Sequence, residues 1–97
     1  VLARIVGIYL DSSPAIVGAI RAAAEGGDAS GLRQAAHKLK SSSANLGAGE
    51  LAGICRELEE AGVAGDTARA LPMLEVLEFE FEAVCRALRA EVDRVAA

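Results

Sequence analysis

Ninety-seven residues, 53% of them hydrophobic but with only one Tyr and two Phe, make a single small domain whose core must be aliphatic. Two Pro and few alternating runs of Val, Ile and Thr argue against a β fold, and the hydrophobic content argues against disorder. A formal net charge of −4 argues against nucleic acid or an anionic membrane as a general partner. No apolar run approaches the roughly 18–20 residues that span a bilayer. Arg4 lies in a short amphipathic start without a signal-peptide cleavage pattern. The chain begins with Val1 rather than Met, as expected of a piece of something longer.

The apolar pattern divides into helices punctuated by glycine. A short first helix is expected from about Val1 to Leu10, with Leu2, Ile5, Val6 and Tyr9 at helical spacing. Ser12 or Ser13 is placed to cap a second helix, and Pro14 suits a first turn, where its missing N–H goes unmissed. That helix turns Ile16, Val17 and Ile20 inward and stops at Gly26-Gly27. Asp28 then caps a third helix that continues to about Leu46 and ends at Gly47. A fourth runs from about Glu50 to Ala61, with Leu51, Ile54, Cys55 and Leu58 on one face, until Gly62 and Gly65 break the pattern.

The last helix starts at Ala68 or Pro72 and reaches Val95. Its inward stripe is Leu74, Leu77, Phe81, Val84, Leu88, Val92 and Val95, and Phe79, off the stripe, is expected to pack under the N-terminal helix. Short connections make neighbours antiparallel. The fold expected is all-α: an antiparallel up-and-down four-helix bundle with a short additional N-terminal helix. Cys55 and Cys85 have no metal-ligand pattern around them and read as buried, reduced thiols of a cytosolic protein.

The third helix is the specific one. At about 100° per residue, Leu32, Ala35, Ala36, Leu39, Ser43 and Leu46 gather on one inward face, and His37 falls nearly opposite, exposed. An exposed helical His is most often a surface residue without a role. Its neighbours change that reading. Arg33, Gln34, Lys40 and Ser41, three and four residues away, share its surface, and Ala44 follows one turn on. Small side chains at Ser41 and Ala44 leave an open approach to the imidazole, and Lys40 is placed to reach a group attached to the ring. From Ala29 to Gly49 there is no acid, while Arg33, Lys38 and Lys40 are basic; the rest of the chain holds seven basic residues against fourteen acids. A basic island around one exposed His suits an arriving anion.

The string Ala36-His37-Lys38-Leu39-Lys40-Ser41-Ser42-Ser43-Ala44-Asn45-Leu46-Gly47-Ala48 resembles the signature of histidine-phosphotransfer (HPt) domains. Their pattern runs His, any residue, Leu, Lys, Gly, then small residues and a closing Leu-Gly. Gly26-Gly27-Asp28 and the stretch from Leu51 to Glu60 read like the same family. The resemblance therefore covers residues 1–97, a domain expected to be excised from a larger hybrid sensor kinase or relay protein.

The resemblance implies a phosphoryl carrier of a two-component multistep phosphorelay. His37 would be the phosphoacceptor, its Nε2 attacking the acyl phosphate of a receiver-domain aspartate, and would pass the group to another receiver. Lys40 matches the motif lysine and would neutralise phosphoryl charge. Glu59 matches a position usually held by Glu or Gln and would accept from the ring Nδ1–H. One departure is Ser41, where the family usually has Gly. The expected partners are response-regulator receivers and a histidine kinase core in the same polypeptide, with docking around His37 and apolar help from the first two helices. No cofactor is expected on this domain; Mg²⁺ would come with the receiver. A bacterial, cytoplasmic, monomeric setting is expected.

Rival chemistries lack their parts. There is no Walker loop or kinase signature set, no ligand cluster for a metal, and no oxyanion turn beside Ser30, His37 and Ser41. Two alternatives remain open at this stage: a docking module without phosphate chemistry, and an HPt domain phosphorylated from ATP by a separate kinase domain.

Overall fold

A computed structural model describes residues 2–96. Its regular structure is entirely helical, with no strand among the described residues. Helix α1 spans Leu2–Glu25, α2 Ala29–Asn45, α3 Gly49–Val63, a short α4 Thr67–Ala70, and α5 Leu74–Ala96. A 3-10 turn at Leu71–Met73 leads from α4 into α5. The four long helices form the expected antiparallel bundle, an elongated body of 46 × 20 × 19 Å.

The loops explain the topology. α1, α2 and α3 each end on the same bond: Asp28 N–H donates to the Ala23 carbonyl (2.8 Å), Ala48 to Ser43 (2.9 Å) and Asp66 to Ala61 (2.9 Å). In each case the preceding glycine, Gly27, Gly47 or Gly65, holds a positive φ of 71–78° that a side chain would disfavour. Two of the turns then start the next helix directly. The Asp28 carboxylate accepts from Gly31 N–H at 2.9 Å and that of Asp66 from Arg69 N–H at 3.2 Å.

The N-terminal expectation needs correction: α1 is one helix running through Pro14, not a short helix followed by a second. Its buried stripe of Val6, Tyr9, Ser13, Val17, Ile20 and Ala24 steps by threes and fours straight across the proline. Packing of that stripe outweighs the local breaker. Neither serine caps anything. Ser13 is buried in the stripe, and Ser12 donates its hydroxyl back to the Ile8 carbonyl at 2.8 Å. Val1, the expected start, lies outside the described residues.

α1 is also long and apolar enough, by length and a mean hydropathy of 1.2, to cross a membrane. The sequence expectation divides this stretch after Leu10, at Ser12, Ser13 and Pro14, so no single run of that length is expected there. In the bundle its buried stripe is covered by the other helices.

Leu2, Ile5 and Val95, assigned to inward stripes, are exposed. Tyr9 hydroxyl pairs with Ser43 Oγ at 2.9 Å, close to the end of α2, so Leu2 and Ile5 lie toward the open end of the bundle, while Val6 still turns into the core. The C-terminal turns of α5 share that end. Phe79 is 68% exposed and does not pack under the N-terminal segment. Elsewhere the core is the predicted one: Ile20, Leu32, Leu39, Leu51, Leu58 and Leu77 are fully buried. Cys55 and Cys85 are buried free thiols, and burial pushes Cys55 up to about 12.

Two helix backbones approach closely at Gly62, expected from the sequence to break the pattern. It lies inside α3, and a Cβ there would come 2.7 Å from the Arg33 nitrogen and 2.8 Å from the Ala29 oxygen. The glycine lets α3 lie directly against the first turns of α2, and everything at the site depends on that seam.

Candidate functional site

His37 is on the outward face of α2, with 58% of its side chain exposed. Across the seam, one turn before Gly62, α3 presents Glu59. One Glu59 oxygen is 2.8 Å from His37 Nδ1, and the other accepts from Lys40 Nζ at 2.6 Å. A single carboxylate, only 18% exposed, thus ties together two residues one helical turn apart on the facing helix.

The electrostatics fix the ring's state. The Lys40 ammonium, with help from His37, holds the Glu59 carboxyl below the ordinary glutamate range, against the opposing effect of burial. Glu59 is therefore an acceptor only, and the hydrogen on this bond belongs to Nδ1. The neutral ring then carries its lone pair on Nε2, which has no hydrogen-bond partner among the described residues. An oriented imidazole whose neutral form leaves this second nitrogen unengaged and facing away from Glu59 has the arrangement a nucleophile needs.

The other expected neighbours divide between two grooves that flank the His37 ridge. On the α1 side, Gln34 and Lys38 line a shallow groove of about 300 Å³ floored by Ala15, Ile16, Ala19 and Ala35. Gln34 also donates to Ser30 Oγ at 3.2 Å. On the α3 side, Ser41 and Ala44 line a groove of about 490 Å³ together with Lys40. Arg33 is exposed, and its backbone is what Gly62 packs against. No cluster of three or more His, Cys, Asp or Glu able to hold a metal occurs among the described residues.

The structure thus brings His37, Lys40 and Glu59 into one hydrogen-bonded unit, and sets Arg33, Gln34, Lys38, Ser41 and Ala44 around it without a hydrogen bond to the ring. Two residues escaped the sequence reading. Gly62 gave only a helix-break signal, and Arg56, which lines the second groove, gave none in a Glu-rich helix.

Comparison with known proteins identifies the family. The family model described as the Hpt domain matches residues 4–97. No curated protein matches the chain. Among solved structures, the crystal structure of histidine-containing phosphotransfer protein B from Pseudomonas aeruginosa is similar. The two share 37% identity and superpose with a TM-score of 0.87, over 93% of this chain and 78% of the other.

Proposed function

The chain belongs to the Hpt domain family, and from that premise we propose that His37 is its phosphoacceptor, Lys40 its phosphoryl-stabilising cation and Glu59 the residue that orients the ring. The domain is a phosphotransfer carrier of a phosphorelay, and domains of this kind interact with receiver domains. The observation that carries the assignment is the divided carboxylate: Glu59 on His37 Nδ1 at 2.8 Å and on Lys40 at 2.6 Å, beside an exposed ring.

In this reading the Nε2 lone pair attacks the phosphorus of a receiver's aspartyl phosphate. The N–P bond forms as the P–O bond to the aspartate breaks, and the aspartate leaves as a carboxylate. Nδ1 keeps its hydrogen throughout, and Glu59 balances the positive charge that develops on the ring. Lys40 swings part of its charge from Glu59 toward the phosphoryl oxygens. The reverse sequence delivers the group to the next receiver. Positioning and charge do the work expected for a loose phosphoryl-transfer transition state.

Mg²⁺ enters with the receiver in this reading, and the phosphoryl group comes from a partner. A histidine kinase core in the same polypeptide is the second donor the reading admits, and the cytoplasm is the compartment where these partners meet. The apolar groove between α1 and α2 gives the receiver a place to rest beside His37.

The test is transfer of label from a phosphorylated receiver to wild type and His37→Gln. Acid-labile, alkali-stable label is expected on wild type and none on the variant. Equal labelling of the variant, or no label on wild type from several receivers and from a kinase with ATP, would overturn the assignment.

A further inference from the structure

Lys40 and Arg56 face each other across the second groove, which runs from the His37 ridge along the C-terminal half of α2 and the N-terminal half of α3. Its floor is built of small residues, Ala44, Ala52 and Gly53, and Ser41 stands on the α2 wall. No acid lines it. The chain as a whole has four more acids than bases, so an acid-free groove with two cations is a local inversion of its charge.

The two cations are not equivalent. Lys40 is engaged by Glu59 at 2.6 Å. Arg56 is exposed and makes no ion pair among the described residues, although Glu59 and Glu60 lie three and four residues along the same helix. Antiparallel pairing fixes its place: His37 is level with Glu59, so Arg56, one turn earlier on α3, is level with Lys40 and Ser41. Arg56 also borders a groove with Glu50, Glu57 and Glu80, yet pairs with none of them. An exposed guanidinium without an ion pair, at a groove that begins at Lys40 one turn from His37, is suited to a carboxylate carried by another molecule.

We infer that this groove is a specificity site for the receiver: Arg56 grips an acidic side chain at the rim of the receiver's phosphoacceptor site, while the small floor admits the backbone that carries it. The inference rests on His37 being the phosphoacceptor. The complementarity is direct, since a receiver that presents an aspartate and binds Mg²⁺ through oxygen ligands is acidic at that rim. The groove begins at Lys40 and Ser41, one turn along α2 from His37. Arg56 is here a docking residue that contacts neither the phosphoryl group nor the ring.

The test measures label transfer from a phosphorylated receiver to wild type, Arg56→Ala, Arg56→Lys and Arg56→Glu, over a range of receiver concentrations and at two salt concentrations. A surface docking cation acts on encounter and affinity more than on the chemical step. The half-saturating receiver concentration should rise about three- to tenfold in Arg56→Ala and further in Arg56→Glu, with Arg56→Lys between wild type and Ala. The maximal rate should hold, and added salt should penalise wild type more than Arg56→Ala. Unchanged half-saturation in both Ala and Glu variants overturns the inference. A lower maximal rate with unchanged half-saturation also overturns it and moves Arg56 into the chemistry. If wild type itself takes no label, the assignment of His37 falls first and this inference with it.

Discussion

Two glutamates bridge neighbouring helices in this bundle, and they do so differently. On the α1–α5 seam, Glu78 gives both oxygens to one partner, the Arg21 guanidinium, at 2.7 Å each. On the α2–α3 seam, Glu59 divides its oxygens between Lys40 and His37. The first arrangement is closed: a two-toothed pair that fixes register and offers nothing further. The second is open. One of its partners is a heterocycle whose second nitrogen is set by the bond to the first, so the carboxylate's influence passes through the ring to the solvent side. An inter-helix carboxylate becomes part of a site when what it holds has another chemical face.

The seams differ in backbone spacing as well. At Gly62 the α3 backbone touches that of α2, whereas α1 and α5 are joined through long side chains. The strongest way to break the contrast is therefore Gly62→Val. Its side chain must displace α2 backbone, so we expect a loss of about 3 kcal/mol in urea denaturation. We also expect loss of the His37 Nδ1–H signal that the Glu59 bond protects. Unchanged stability would mean the seam is looser than its contacts imply.

Next in size is the pair of substitutions Glu59→Ala and Glu78→Ala. Removing Glu59 frees the ring to take either tautomer and either orientation, and transfer to His37 should slow about tenfold, the equivalent of roughly 1.4 kcal/mol. Glu59→Gln, which keeps an acceptor oxygen, should recover part of that. Glu78→Ala should leave transfer untouched and lower the melting temperature slightly, because its pair with Arg21 is half exposed. Slowed transfer in Glu78→Ala would erase the distinction between the two seams.

The smallest effect concerns pH. Glu59's folded value is depressed, mainly by Lys40, so the stability it contributes is fully present above the ordinary glutamate value of about 4.3 and is lost as pH falls through the folded value. A carboxyl-carbon NMR titration should place Glu59 below the ordinary range in wild type and move it upward in Lys40→Ala. A midpoint that ignores Lys40 would show that His37, not Lys40, is its dominant partner.

Much of this was legible in the sequence, and the exceptions share a cause. The helix between Asp28 and Gly47 and the exposed His37 follow from spacing, because each depends on residues a turn or so apart, whereas the pairing with Glu59 was implied only by the family resemblance. Pro14 misled because a local breaker was weighed without the stripe from Val6 to Ala24 that runs through it. Leu2, Ile5 and Val95 misled because periodicity marks a face without saying whether another helix reaches it. Gly62 and Arg56 were silent for the same reason: a close approach and an acid-free groove exist only once two helices are placed side by side.

The open position of His37 has a last consequence, for traffic. With most of its side chain in solvent, the ring is reached without any described residue moving aside, and in the proposed role donor and acceptor approach it from the same open side. The domain behaves as an exchange point, not a valve. In that role, the direction of transfer follows the supply of charged and uncharged partners and the free energy of the phosphoryl group on each.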